Sequence, residues 1–239
     1  MLSICAMSDL HGDLIDINPC DLVLICGDSV PLNVQRNSKG TERWYSEDFK
    51  YWAEGLPCEK VLFIAGNHDT QLEYRYPKYK KLFPNDSKVT YLCNEEYNFT
   101  HNGKSYRIYG TPYCKIFGNW AFMQHDEILM KIYSLIPKGL DILMSHDAPY
   151  WYGDVLLQEN CHWADGSHIG NKELLDAILK SQPNIQVNGH LHSCSHSEVL
   201  IKNTKHYNVS IKDEFYNTVY EPLYLELAWL QQEKLKIEL

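Results

Sequence analysis

Short apolar runs alternate with polar, helix-like segments through the first half of the chain. "LSICAM" (2–7), "DLVLIC" (21–26) and "KVLFIAG" (60–66) are brief, rich in Val, Ile and Leu, and closed by turn residues, which predicts strands buried on both faces. Between the last two lies "TERWYSEDFKYWAEGL" (41–56), an amphipathic helix with Trp44, Phe49 and Trp52 placed to face a sheet. Strand, helix, strand in this order predicts a parallel sheet with right-handed crossovers.

The pattern then changes. "TQLEYRYPKYKKLFP" (70–84) predicts a helix interrupted at Pro77. "KVTYLC" (88–93), "YNFTHNG" (97–103) and "KSYRIYGT" (104–111) predict shorter strands, the last two joined by a turn at Asn102-Gly103. Helices are expected at "HDEILMKIYSLIP" (125–137) and "NKELLDAILKS" (171–181). Buried strands are expected at "GLDILMSHDAP" (139–149) and at "NIQVNGHLHS" (184–193), which breaks at Gly189. The tail, "HSEVLIKNTKHYNVS" (196–210) and "EPLYLELAWLQQEKLKIEL" (221–239), predicts antiparallel strands joined at polar turns. No repeat, low-complexity tract or linker divides the chain, so one α/β domain over residues 1–239, built on two packed sheets, is expected. Long, aromatic loops at 110–125 and 147–168 are of the kind that carries substrate contacts.

Five of the buried strands end in polar residues: "SDLHGD" (8–13), "CGDSV" (26–30), "AGNHD" (65–69), "MSHDAP" (144–149) and "NGHLHS" (188–193). An unpaired buried carboxylate is costly, so such ends must meet water, a counter-charge or a metal. In parallel α/β sheets ligands sit beyond the carboxyl ends of the strands, where these segments can converge. The ligand-type residues they offer are Asp9, His11, Asp28, Asn67, His68, His146, His190 and His192. Singly, each has a structural reading: Asp9 as a helix cap, Gly27-Asp28 and Asn67-His68-Asp69 as turns, His146 as a core histidine. Gly-His-x-His at 189–192 is stronger, because side chains two apart on an extended segment share a face. With 11 His in 239 residues, a given position is His about one time in twenty, so the ordered set does not arise from chance.

Together these segments resemble the calcineurin-like metallophosphoesterase superfamily, with its ordered motifs D-x-H, G-D, G-N-H-[DE], a lone H, and G-H-x-H. The likeness runs from residue 8 to residue 192. It implies a four-layer α/β/β/α sandwich of two mixed sheets flanked by helices, and two divalent metal ions sharing Asp28 as a bridging carboxylate. One ion would be held by Asp9, His11 and His192, the other by Asn67, His146 and His190. Nitrogen and oxygen donors without thiolate fit Mn, Fe or Zn, with Mn(II) the expected activator. The resemblance further implies in-line attack on phosphorus by a metal-bridging hydroxide, with His68 protonating the leaving group and Asp69 orienting the His68 imidazole. Asp13 is assigned to the loop.

Within the superfamily the chain lacks the Asp-Arg-Gly and the later Arg of protein Ser/Thr phosphatases, reading "GDSVPLN" and "GNHDTQL" instead. "YGTPYCKIFGNWAFM" (109–123), "MSHDAP" and "DGSHIGNKELLDAI" (165–178) resemble small single-domain phosphodiesterases of the brain-239 and class III cyclic-nucleotide type. That implies a small phosphodiester substrate, nucleotide-like and including cyclic nucleotides. The alternatives are a phosphomonoesterase of the same mechanism and a metal-stabilised protein-binding scaffold. Tyr113, Trp120 and Phe122 either stack a base or fill a loop core; His162 and His168 are expected as wall or structural residues. Pro31 stands where many relatives carry Asn or Glu, which alters the loop over the first metal.

Composition narrows the partners. A net charge of −9 argues against a surface that holds duplex nucleic acid by counterion release. Two divalent ions with their carboxylates and hydroxide leave about +1 in the cleft, so an anionic substrate needs no basic patch. The 8 cysteines form no C-x-x-C pair, and the first residues include neither a basic region nor a long apolar segment. A cytoplasmic protein with no membrane partner is expected, as a monomer or dimer.

Overall fold

A computed structural model describes residues 1–156 and 165–228. The His162 assignment and most of the expected strand over 221–239 beyond Ala228 lie outside the described residues. The first parallel unit comprises β1 (Leu2–Met7), β2 (Leu22–Cys26), α1 (Ser38–Trp44), α2 (Lys50–Gly55) and β3 (Lys60–Ile64). A π-helical turn, Tyr45–Phe49, joins the two helices and marks a local departure from the single helix that periodicity predicts. Asn37 caps α1 by accepting from Lys39 and Gly40 N–H. Next come α3 (Thr70–Tyr74), α4 (Tyr76–Leu82) and β4 (Val89–Tyr91). The expected break at Pro77 falls at Arg75 instead, because proline is accommodated in the first turn of α4.

The second half contains β5 (Glu95–His101), β6 (Lys104–Thr111), the short β7 (Cys114–Lys115) and β8 (Met123–Gln124), α5 (Asp126–Tyr133) and β9 (Ile142–Ser145). It continues with α6 (Lys172–Ser181), β10 (Ile185–Asn188), β11 (Val199–Ile201), β12 (Thr204–Asn208) and β13 (Leu223–Leu227). β5 and β6 turn at Asn102-Gly103, both with positive φ (48° and 72°), as the two-residue hairpin signal requires.

Two mixed sheets result, ordered β13-β1-β2-β3-β4 and β11-β12-β10-β9-β6-β5. In the first, β1 to β4 run parallel and β13 pairs antiparallel with β1. In the second, β12, β10, β9 and β6 are parallel, with antiparallel partners at each edge. Alternation of side chains along the strands builds three cores. Leu2, Ile4 and Ala6 of β1, with Leu22, Leu24 and Cys26 of β2, face Ile108, Ile142, Met144 and Val187 of the other sheet. Their neighbours Cys5, Met7, Val23, Ile25 and Phe63 face Trp44, Tyr45, Phe49 and Phe83. Tyr109 and Leu143 of the second sheet face Leu129 and Tyr133 of α5 and Leu174 and Ile178 of α6. The layers are therefore helix, sheet, sheet, helix, and strands buried on both faces read as unbroken apolar runs.

At the carboxyl ends the two sheets meet. Ser8, just past β1, bridges to Ser210, and Ile211 N–H donates to the Ser8 carbonyl (3.1 Å). Among the described residues no helix is long and apolar enough to cross a membrane.

Candidate metal centre

Beyond β1 and β2 the backbone keeps its pairing but leaves the extended conformation. Asp9 N–H donates to the Gly27 carbonyl (3.0 Å) and His11 N–H to the Asp28 carbonyl (2.9 Å). Asp9, His11 and Asp28 take φ of 59°, 45° and 50°, and His190 takes 71°. Four left-handed residues that are not glycine cost about 1–3 kcal/mol each and cluster at functional sites, where the surrounding structure enforces them. Here they swing carboxylates and imidazoles inward: Asp9, His11, Asp28, Asn67, His146 and His192 are all buried.

Close backbone approach makes room for these side chains. A Cβ on Gly189 would lie 1.9 Å from Ser8 Oγ and 2.3 Å from Asp9 Oδ2; one on Gly66 would lie 2.2 Å from Asp28 Oδ1. Gly189→Ala is expected to force the ends of β1 and β10 apart, destabilising by about 1–3 kcal/mol. A thermal melt should show Tm lower by roughly 2–8 °C, with weaker metal binding by titration.

Asp9, His11, Asp28, Asn67, His146 and His192 converge in the structure, and His190 meets them through its backbone. Asp28 Oδ2 lies 3.4 Å from His146 Nε2 and 3.9 Å from His11 Nε2, and Asp9 Oδ1 lies 3.3 Å from His192 Nε2. Asn67 Oδ1 lies 2.9 Å from His146 Nε2. His190 donates its backbone N–H to both Asp9 oxygens (3.2 and 3.1 Å), and its ring lies 5.0 Å from that of His146. Asp9, His11 and His192 form one group able to hold a cation, Asp9, Asp28 and His146 another, and His11, Asp28 and His68 a third, while the His190 ring joins none of them.

Two of the imidazoles are oriented from behind. His146 Nδ1–H donates to the Cys26 carbonyl (2.8 Å) and His192 Nδ1–H to the Asp213 carbonyl (2.9 Å), so each presents Nε2 to the cluster. Among the described residues, buried His11 has neither ring nitrogen hydrogen-bonded. Burial pushes its pKa down to about 4 despite Asp28, and that of His190 down to about 3, so both stay neutral with lone pairs available. Burial opposes charge on His146 as well, yet Asp28 and Asp9 outweigh it and push its pKa up to about 10. Burial would raise the Asp28 carboxyl, but His146 and His68 hold it well below the usual range. Unpartnered imidazole nitrogens and convergent acceptors that hold a proton this tightly are what a divalent cation would satisfy. The donor set fits the pair of ions.

His68 is placed differently. Its backbone N–H donates to Asp28 Oδ1 (2.7 Å), and its Nε2 lies 3.9 Å from Asp28 Oδ2. Its Nδ1 contacts Gln35 Oε1, and its ring packs against Trp120 with centroids 4.5 Å apart. Asp69 does not orient this imidazole. Its carboxylate turns away into the core, accepting from Tyr45 Oη (2.7 Å), Gly66 N–H (2.8 Å) and Val30 N–H (3.1 Å). Burial, then the nearby Asp28, pushes the Asp69 pKa up to about 6. Asp69 is a turn anchor, and Gln35 holds the ring. Asp69→Ala is expected to leave those donors unpaired, lowering the unfolding free energy by about 3 kcal/mol in a denaturant titration.

Loops supply further residues, among them Trp120, named above, and others that sequence reasoning missed. Tyr216, itself at φ 64°, sets its ring 4.8 Å from that of His11 and 5.4 Å from that of His192. Trp120 lies between His68 and the Arg36 guanidinium, 4.7 Å from its ring centroid. Tyr113 and Phe122 pack into the core instead, which separates the aromatic trio. Gln35, Tyr216 and Glu214 carried no periodic or motif signal. Asp13 pairs with Lys212 and with Thr218 Oγ1 (2.7 Å), a structural tie in the loop. Pro31 packs on the first of these loops, where a Cβ on Gly12 would meet it at 2.7 Å.

The chain is 26% identical over 245 residues to human and mouse "Metallophosphoesterase domain-containing protein 1", spanning 92% of this chain and 69% of theirs. It is 30% identical over 209 residues to the UPF0046 protein T07D4.2 of Caenorhabditis elegans, spanning 76% of this chain and 49% of that protein. The crystal structure of TT1561 from Thermus thermophilus shares the fold at 14% identity, with a TM-score of 0.54 over 87% of this chain and 88% of that one. A sequence model of the calcineurin-like phosphoesterases matches residues 2–194, and with the convergence of those strand ends on one cation-seeking cluster, the chain belongs to the calcineurin-like phosphoesterase family.

Proposed function

We propose that the protein hydrolyses phosphodiesters with the help of two divalent ions, Mn(II) being the first to test. The observation that carries this reading is the buried cluster itself, with its bare His11 imidazole and the Asp28, Asn67 and His146 acceptors turned toward one another. Asp9, His11 and His192 would hold one ion, Asn67, His146 and His190 the other, and Asp28 both. When bound, such a pair supplies Lewis acidity and a readily ionised water nucleophile.

The protein's own groups do the rest. His68, on the rim beside Asp28, carries the proton that a departing alkoxide needs, from its Nε2. Gln35 fixes the ring through Nδ1, and Trp120 packs against its face. Tyr216 packs edge-on against His11 and His192 and lines the same cleft as His68. Glu214 lines the same cleft, and its carboxylate favours a diester with one charge over a monoester with two. The cysteines at 5, 20, 26, 58, 93 and 114 form no disulfide, in keeping with work in the reducing cytoplasm.

The test is turnover of bis(p-nitrophenyl) phosphate and p-nitrophenyl phosphate by Mn(II)-loaded protein, before and after chelation. Diester turnover exceeding monoester turnover, lost on chelation and restored by Mn(II), is expected. Preference for the monoester would make the protein a phosphomonoesterase; no turnover with any divalent metal would leave a metal-stabilised scaffold.

A further inference from the structure

The cleft over the metal centre is small, about 150 Å³, but it does not end there. Phe117, His190 and Glu214 also line a second cavity of about 750 Å³. That volume is much larger than a single cyclic nucleotide needs, and its walls are of two kinds. Phe117, Tyr150, Leu156 and Ile169 offer apolar and aromatic surface, with Phe117 61% exposed where the cavities join. Lys115 and Lys172 offer ammonium groups, and among the described residues neither has a carboxylate partner; Lys172 Nζ sits over the Tyr150 ring, 4.7 Å from its centroid.

The acidic residues of this cavity do not neutralise the lysines. Asp147 is buried and already accepts from Lys115 N–H (2.9 Å), Ala148 N–H (2.9 Å) and Asn171 Nδ2 (2.8 Å). Glu214 stands at the junction and accepts from Ser193 N–H (3.2 Å). The described part of the wall around Asp154 is tied down by hydrogen bonds. Buried Asp154 accepts from His168 Nδ1 (2.6 Å), Trp151 N–H (3.0 Å) and Gly170 N–H (2.9 Å), and the Trp151 ring stacks on His168 at 4.1 Å. In a protein of net charge −9, two lysines that among the described residues have no carboxylate partner, on an apolar cavity contiguous with the candidate metal centre, select for negative charge.

We infer that this cavity is a subsite for the far end of an extended substrate: a phosphodiester with a flat or apolar body and a second anionic group, the latter bound by Lys115 and Lys172. The inference rests on the phosphodiesterase reading and narrows it, since a simple cyclic nucleotide has neither the length nor the second anion.

The test compares two p-nitrophenyl esters of thymidine 5′-phosphate, one with a free 3′-hydroxyl and one carrying a 3′-phosphate. Scissile bond and leaving group are the same. In the Mn(II)-loaded protein the 3′-phosphate is expected to lower KM at least about tenfold, the worth of one charge-assisted contact, with kcat little changed. In Lys115→Met/Lys172→Met the ratio of kcat/KM between the two esters should fall to about one. Calorimetric titration with thymidine 3′,5′-diphosphate and thymidine 5′-phosphate gives a readout free of turnover, and the diphosphate should bind at least about tenfold tighter. Equal KM and equal Kd in the unaltered protein, or a preference that survives the double substitution, overturns the subsite. Failure to cleave either ester while the calorimetric preference holds would overturn the phosphodiesterase reading and leave the subsite standing.

Discussion

Asp28→Ala is expected to empty both metal sites and to lower turnover on the order of 10³-fold or more, the largest effect of any single ligand change. The reason is its position between the two groups of donors. Its Oδ2 lies 3.4 Å from His146 Nε2 on one side and 3.9 Å from His11 Nε2 on the other. Asp9 also stands in two of the candidate groups, but its carboxylate is met by His192 and by the His190 backbone N–H, whereas Asp28 would be the carboxylate shared between His11 and His146. The same carboxylate receives the His68 backbone N–H through Oδ1, so alanine also frees that segment. Asp28→Asn separates the two effects, because the amide oxygen still accepts from His68 while the charge is gone. Elemental analysis of the purified variants is the check. One full metal equivalent per chain, bound with unchanged affinity in Asp28→Ala, would show that the carboxylate does not bridge.

For His68→Ala the expectation is the opposite division: both metals retained and turnover of diesters with a poor leaving group lowered about 10²–10⁴-fold. The imidazole reaches the cluster edge, 3.9 Å from Asp28 Oδ2, but its other nitrogen is engaged by Gln35 and its face by Trp120. It is held as a ring that must keep one orientation toward the substrate side. Esters that release nitrophenolate scarcely need protonation and should slow much less. Gln35→Ala should repeat the leaving-group signature more weakly, since the ring remains but loses its lateral anchor. Metal lost from His68→Ala would make it a ligand, and equal slowing of both ester types would give it a role in holding phosphate instead.

Much of this arrangement is legible in the chain because buried parallel strands write themselves as continuous apolar runs. "LSICAM" and "KVLFIAG" announce where a strand stops, and whatever polar residue follows must stand at the carboxyl edge of a sheet. Asp9, Asp28 and His146 are found by that logic. Asp69 shows its limit. Sequence adjacency places it beside His68, yet the turn sends the two side chains in opposite directions, one to the rim and the other to Tyr45 in the core. Gln35, Trp120 and Tyr216 arrive from loops, where neither a period of 2 nor one of 3.6 constrains the side chain. The π turn at Tyr45–Phe49 is similarly silent, since an extra residue in one helical turn leaves the amphipathic pattern nearly intact.

The meeting of the two sheets at Ser8 and Ser210 has a thermodynamic consequence. Asp9, His11, Asp28 and Asn67 extend from the first sheet; His146, His190 and His192 extend from the second. The centre of the interface between the sheets is apolar, held by contacts that have little directional preference. A cation held by both sets of ligands would be a clasp between layers, made in the native state and lost in the unfolded one. By linkage, each tenfold rise in free metal above the dissociation constant deepens the native well by about 1.4 kcal/mol. With the site filled in this way, the stability of the fold would depend on free metal as well as on the chain, and a thermal melt with and without chelator would show it.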